Sequence, residues 1–278
     1  MRKEAVSGSF YPGSRAEISA FIRSALNSAE VKEKPVEGSY SYVAPHAGYE
    51  YSGTTAAYTY KAMSLNKDFD KIETVVIIGP NHTGYGKALS VSFEDWHTPL
   101  GAATNDLEFS KALVAESNAL NADEEAHLYE HSIEVQLPFL QTIFDNRRNI
   151  KYAFICMGNQ SLEASTLLAE SLLSVEKKLG RRITVLASSD FNHYESADVA
   201  KSKDNRLIEA LLKLDYKKFN ELIYAINDSA CGFGPITVAL LYAKSKGSSK
   251  GLLLKYSNSG EATGDFSSVV AYASLAFV

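Results

Sequence analysis

Short apolar runs alternate with longer stretches of helical periodicity along this chain. The runs at 73–78, 151–158 and 183–188 are rich in β-branched residues and end at polar or Gly-Pro positions, which predicts buried strands. Further strands are predicted at 88–93, in the aromatic stretch that ends near Ala44, and in the two segments that close the chain, KGLLLKYSNSG and SSVVAYASLAFV. Strands that are apolar on both faces are typical of a sheet covered on both sides.

Amphipathic segments lie between these strands. Ser14 and Glu17 form a capping-box pattern, so a helix is predicted from Ser14 to about Ala29. The same periodicity predicts helices at 53–63, 106–118, 131–145, 161–179, 198–213, 215–225 and 234–246, and the Lys/Glu/Pro stretch 30–38 is predicted to be a surface loop. Because strands and helices alternate and no linker or repeat divides the chain, we predict a single α/β domain over 1–278. Its sheet should be mixed and largely parallel, with helices on both faces.

Composition and charge exclude several classes of protein. The 278 residues include 28 Lys plus Arg against 33 Asp plus Glu, which argues against a broad nucleic-acid-binding surface. Two cysteines exclude a disulfide scaffold. The N-terminus lacks the apolar core of a signal peptide, and the longest apolar stretch, ten residues at 269–278, is too short to span a membrane. We therefore expect a cytoplasmic protein with no membrane partner.

Three of the six histidines follow predicted strands. The strands in YVAPHAGY, VVIIGPNHTG and VLASSDFNHY lead into His46, His82 and His193. Ligands in open α/β sheets bind beyond the carboxyl ends of the strands, so parallel neighbouring strands would bring these imidazoles to one crevice. The alternative is that each is a loop histidine held by backbone hydrogen bonds.

Cys231 lies just before a predicted helix. The helix N-terminus is expected to stabilise its thiolate, which would make it a metal ligand or nucleophile, whereas an inert packed thiol is the alternative. Cys156, inside an apolar strand, is interpreted as a buried hydrophobic residue.

Other polar residues are candidates for the same crevice. His131 and Glu134 fall near one face of the predicted helix 131–145, which suggests catalytic roles. Asp190, in SSDFNHY, is a candidate acid/base or histidine-orienting group. Tyr49 and Tyr51 are candidates for binding an aromatic or aryl-phosphate ligand. His97 is interpreted as structural and His127 as a surface residue.

The motifs taken together resemble those of the Memo family, named for a mediator of receptor-tyrosine-kinase-driven cell motility. The resemblance covers almost the whole chain, through SGSFYPG, APHAGYEYSG, IIGPNHTG, EHSIEVQLPFL, SSDFNHY, ACGFGPI and YSNSG-x3-GD-x-SSVVAYAS. It implies a fold like that of the class III extradiol dioxygenases, whose related enzymes use non-haem iron. It also implies metal ligands at His46, His82 and Cys231, with His193 and Asp190 in the same cleft.

The resemblance also implies partners. Family members are linked to iron or copper and, for the human relative, to phosphotyrosine peptides. Prokaryotic relatives often accompany a radical-SAM protein and an AMMECR-type protein. The expected ligand is therefore a small molecule or a peptide.

Three functions follow from these residues. The leading hypothesis is a mononuclear transition-metal site in a dioxygenase-like cleft, serving a redox enzyme, with iron as the first choice and copper or zinc as alternatives. Two histidines and a thiolate depart from the two-histidine, one-carboxylate set of many iron oxygenases. The second hypothesis is a peptide-binding module with a vestigial active site. The third is a zinc-dependent hydrolase in which Glu134 or His193 moves protons.

Overall fold

The computed structural model describes residues 1–32, 40–145 and 149–278. The helices in these ranges are α1 (Arg15–Ser28), α2 (Thr54–Ser64), α3 (Leu107–Glu116), α4 (Leu137–Ile143), α5 (Leu162–Leu179), α6 (Ala197–Leu212), α7 (Tyr216–Ala225), α8 (Phe233–Ser245) and α9 (Gly260–Thr263). The strands are β1 (Ser41–Ala44), β2 (Thr74–Pro80), β3 (Leu89–Val91), β4 (Trp96–Thr98), β5 (Gly101–Ala103), β6 (Asn121–Ala122), β7 (Lys151–Met157), β8 (Ile183–Ser188), β9 (His193–Glu195), β10 (Gly251–Asn258) and β11 (Val269–Phe277).

One large mixed sheet forms the centre of the molecule. Its strands follow the order β10-β11-β1-β8-β2-β7-β3-β6, with β9 paired to β11. The four central strands β1, β8, β2 and β7 are parallel, whereas β11 is antiparallel to β1 and β3 is antiparallel to β7. A separate two-stranded sheet joins β4 and β5. The carboxyl ends of β1, β8 and β2 therefore lie side by side.

Helices cover both faces of this sheet. Side chains of a strand point alternately to opposite faces, and in β2 Val75 and Ile77 belong to one hydrophobic core while Val76 and Ile78 belong to the other. The first core includes residues of α1, α2 and α4, and the second includes residues of α3, α5, α6, α7 and α8. The predicted α/β architecture with helices on both faces is confirmed.

Most predicted helices end within two residues of the observed ones, but one region differs. The predicted helix 131–145 is a 3-10 turn at Glu134–Gln136 followed by α4. A π-helical turn at Tyr49–Gly53 precedes α2. Most of the predicted loop 30–38 lies outside the described residues. Across the described ranges, no helix combines the length and apolar character needed to cross a membrane.

Candidate metal centre

The carboxyl ends of β1, β8 and β2 form the floor of a cleft. Because these strands are parallel neighbours, as predicted, the residues that follow them meet at one edge of the sheet. The cleft has a volume of about 630 Å³. The residues singled out from the sequence that line it are His46, His82, His131, Asp190, His193 and Tyr51.

Three imidazoles form a cluster in this cleft. Nitrogen atoms of His46, His82 and His131, one from each ring, all lie within 4.8 Å of one another. The ring of His131 stacks on that of His82 with centroids 4.7 Å apart, and the ring of His46 meets both edge-on. His131, predicted from sequence to be catalytic, therefore joins the two histidines that were predicted to bind a metal.

Ser188 determines which nitrogen of His46 carries the proton. The Ser188 hydroxyl donates its single hydrogen to the carbonyl oxygen of Ser132 at 2.6 Å and accepts from the amide of Gln136 at 2.8 Å. Its third contact, to His46 Nδ1 at 2.8 Å, must then be one in which the ring donates. His46 is consequently protonated on Nδ1, and the lone pair of its Nε2 faces the sulfur of Cys231 at 3.2 Å.

Glu130 has the same effect on the other two rings. Its carboxylate oxygen Oε1 lies 3.0 Å from His82 Nδ1 and 3.3 Å from His131 Nδ1. Because an ionised carboxylate only accepts hydrogen bonds, His82 carries a proton on Nδ1, and the close contact with the same oxygen favours this form of His131. All three Nε2 atoms are left to bind a ligand.

This donor set fits a transition-metal ion. Two nitrogens bonded to one ion at about 2.1 Å can be at most about 4.2 Å apart. The observed spacing of up to 4.8 Å thus needs a closure of roughly 0.6 Å. Metal-bound histidines in proteins usually donate their other ring N–H to a carboxylate or similar acceptor, and His82 donates to Glu130 and His46 to Ser188 here.

The charge states suit metal binding. Burial, together with the neighbouring imidazoles, holds the pKa of His46 well below its usual value. Burial also lowers the pKa of His131. Burial opposes ionisation of Glu130, but the hydrogen bond and charge of His82 outweigh it and hold the pKa of the carboxyl at about 2. Neutral imidazoles are the form that binds a metal, and burial favours this form at His46 and His131.

Cys231 and Asp190 lie next to His46. The Sγ atom of Cys231 is 3.2 Å from His46 Nε2, and the backbone N–H of Asp190 donates to the same sulfur at 3.3 Å. Burial and the charge of Asp190 raise the pKa of the thiol, which opposes the predicted stabilisation of its thiolate by the start of α8. The sulfur of Cys231 therefore lies directly against the imidazole of His46.

Asp190 is poised to hold a proton near neutral pH. Its Oδ1 accepts the backbone N–H of His46 at 2.8 Å and that of Ala47 at 3.3 Å, while Oδ2 lies 4.0 Å from His46 Nε2. Burial raises the pKa of this carboxyl to about 7, although the two backbone donors work in the opposite direction.

Glu134 and Tyr49 face other surroundings. The Glu134 carboxylate accepts hydrogen bonds from Arg2 Nη1 and Tyr11 Oη, each at 2.6 Å, and does not line the cleft. The hydroxyl of buried Tyr49 donates to the carbonyl of Val135. The predicted roles of Glu134 in catalysis and Tyr49 in ligand binding thus lack support in the geometry, because both polar groups are satisfied inside the protein.

His127 and Glu130 show what sequence reasoning missed. His127 is fully buried against Trp96 rather than at the surface, and its carbonyl accepts from Arg2 Nε. Glu130 is fully buried as well. The one signal for it in the sequence was its position directly before His131, in the motif EHSIE. Cys156 is a buried strand residue, as predicted.

Comparison with known proteins identifies the relatives of this chain. A family model described as "Memo-like protein" matches residues 2–276. A MEMO1 family protein of Methanosarcina mazei is 42% identical over 275 residues, covering 99% of this chain and 98% of the relative. A MEMO1 family protein of Archaeoglobus fulgidus is 43% identical over 277 residues, covering 100% of this chain and 99% of the relative.

A solved structure shares the fold at low identity. The crystal structure of an uncharacterized protein from Escherichia coli K12 aligns with a TM-score of 0.57 and 13% identity, covering 85% of this chain and 99% of that one. At this identity the likeness concerns the fold alone. The family match extends over nearly the whole chain, and the motifs that resemble the family include His46, His82, His131 and Cys231. The chain therefore belongs to the Memo family.

Proposed function

We propose that this Memo-family protein binds one transition-metal ion through His46, His82 and His131 and acts as a metal-dependent oxidoreductase. Cys231 is proposed as a further donor, because its sulfur lies 3.2 Å from His46 Nε2. Iron(II) is the proposed metal, with copper and zinc as alternatives that accept the same imidazole donors.

One observation carries the proposal. His46 and His82 each use Nδ1 for a hydrogen bond inside the protein, and His131 Nδ1 lies 3.3 Å from the Glu130 carboxylate, so in each ring Nε2 is the nitrogen left for a ligand. One nitrogen from each ring lies within 4.8 Å of the other two, which is close enough for a single ion to bind all three after a small closure. A cation at their centre would satisfy all of them.

The residues around the cluster would control protons and access. A bound iron ion would supply Lewis acidity and one-electron chemistry. Asp190 Oδ2 would accept or return a proton near neutral pH, because the backbone N–H groups of His46 and Ala47 already hold Oδ1. His193 is a second group for proton transfer on the cleft wall, and Tyr51 lies at its mouth.

Metal content is the direct test. Protein purified anaerobically should contain close to one equivalent of a transition metal, measured by elemental analysis. His46→Ala should abolish high-affinity binding, whereas His97→Ala should not, because His97 is 43% exposed and pairs with Glu4. Absence of metal binding in the wild type, or equal affinity in His46→Ala, would contradict the proposal.

A zinc hydrolase is the competing function. Three histidines and an open position are also the ligand set of some catalytic zinc sites. Loading the metal-free protein with zinc or with iron separates the two functions. Turnover with zinc but not with iron would select the hydrolase, because zinc has no redox chemistry.

A further inference from the structure

Glu130 connects two of the three histidines at the cluster. Its side chain is fully buried. Oε1 accepts from His82 Nδ1 at 3.0 Å and lies 3.3 Å from His131 Nδ1. Among the described residues, these two imidazoles are the ion-pair partners recorded for this carboxylate.

The same carboxylate also fixes the backbone that carries both rings. Oε2 accepts the backbone N–H of His82 at 2.5 Å, and Oε1 accepts those of His131 and Ser132 at 2.9 Å each. One side chain thus sets the position of two rings and of the loops on which they stand. The interaction with His82 spans 48 positions of the chain.

Glu134, four positions further on, makes a useful contrast. It is equally buried, but it pairs with the Arg2 guanidinium and so has a permanent counter-charge. Glu130 has no such partner among the described lysines and arginines. A buried carboxylate without a fixed cation is costly unless another positive group is supplied.

We propose that Glu130 is the positioning residue of the metal centre, which holds His82 and His131 in the Nδ1–H form and places one negative charge beside the ion. This inference rests on the proposed metal-binding function. Glu130 does not contact the ion in this proposal and acts through the two rings. Groups in this position typically change metal affinity by about 10- to 100-fold when they are replaced.

Glu130→Gln tests the inference with little change in shape. This change removes the negative charge and leaves one acceptor oxygen in place of two, so the amide N–H₂ must face either the ring N–H at Oε1 or the backbone N–H of His82 at Oε2. We expect the affinity for Zn²⁺, measured against a competing chelator, to fall by about 10- to 100-fold. Glu134→Gln is the matched control: it also removes a buried carboxylate, and we expect unchanged affinity in the folded protein.

Imidazole tautomers give a readout that general destabilisation would not produce. Long-range ¹H–¹⁵N spectra of the metal-free wild type at mildly alkaline pH should show His82 and His131 protonated on Nδ1. In Glu130→Leu, which removes the acceptor from both rings, at least one of them should shift toward the Nε2–H form, and in Glu134→Gln neither should. This measurement needs no bound metal.

The outcomes separate the two proposals. Wild type that binds no metal would contradict the proposed function, and the tautomer spectra would still test Glu130. Wild type with His82 or His131 protonated on Nε2 would overturn the role of Glu130 even if Glu130→Gln failed to fold. Unchanged tautomers in Glu130→Leu would overturn it as well, whatever the metal affinity.

Discussion

Glu134 holds the N-terminal segment against the body of the protein. Replacing it tests whether the residue stabilises the fold or acts in the cleft. The carboxylate accepts hydrogen bonds from Arg2 and Tyr11 at 2.6 Å and from the backbone N–H groups of Ala5 and Val6 at 2.8 and 3.1 Å. The side chains of Arg2 and Glu134 are 3% and 0% exposed. Glu134→Ala therefore leaves a buried guanidinium without its counter-charge.

The expected loss of stability is large. Removing one partner of a buried ion pair costs about 3–5 kcal/mol, and folded domains are stable by only about 5–15 kcal/mol. Glu134→Ala should lower the free energy of unfolding by about 3–5 kcal/mol. Replacing Arg2 and Glu134 together by Met should recover much of this loss, because no charge is then left buried. Metal affinity of the folded protein should stay at the wild-type value.

Urea unfolding followed by tryptophan fluorescence measures this effect. Trp96 is the single tryptophan, and the Arg2 guanidinium lies 4.0 Å from the centre of its ring, so the signal reports on this segment. Zn²⁺ titration of the folded variant provides the second measurement. If Glu134→Ala unfolds at the wild-type urea concentration but no longer binds Zn²⁺, the structural role is refuted and Glu134 acts in the cleft instead.

Three further changes test other parts of the site. Ser188→Ala removes the acceptor that orients His46, so Zn²⁺ affinity in a chelator competition should fall by roughly tenfold or more. Gly232→Ala would place a Cβ atom against the carbonyl oxygen of Ser188, so the loop carrying Cys231 must shift. The melting temperature should therefore drop, and an unchanged melting temperature would contradict this clash. Burial lowers the pKa of His127 to about 4. Between pH ~6.5 and ~4 this imidazole is therefore protonated in the unfolded chain but neutral in the folded chain. Stability should therefore fall as the pH drops from ~6.5 to ~4, by up to about 3 kcal/mol, and His127→Leu should flatten this part of the urea-unfolding profile.

Local patterns predicted most of the elements. The strand expected at 183–188 is β8, and the helix expected at 161–179 is α5 to within one residue. Hydrophobic periodicity carries this information because it records which face of each element is buried. The same patterns placed His46 and His82 at strand ends, where a parallel sheet brings ligands together.

The conformation of the EHSIE segment, residues 130–134, could not be predicted from its local pattern. An interval of three residues places two side chains on one face only in a regular helix. Here α4 begins at Leu137, so His131 and Glu134 lie in turns before it. One therefore lines the cleft while the other binds Arg2.

Only the tertiary structure decided which polar groups meet. Glu130 binds a ring 48 positions away and Ser188 binds one 142 positions away. Such contacts depend on how loops from different strands close over one sheet edge, and they have no periodic signal in a single sequence. The sequence by itself thus determined the α/β layers and the strand-end histidines. The nitrogen that each imidazole leaves free for a metal was decided by hydrogen-bond partners that folding brings from distant parts of the chain.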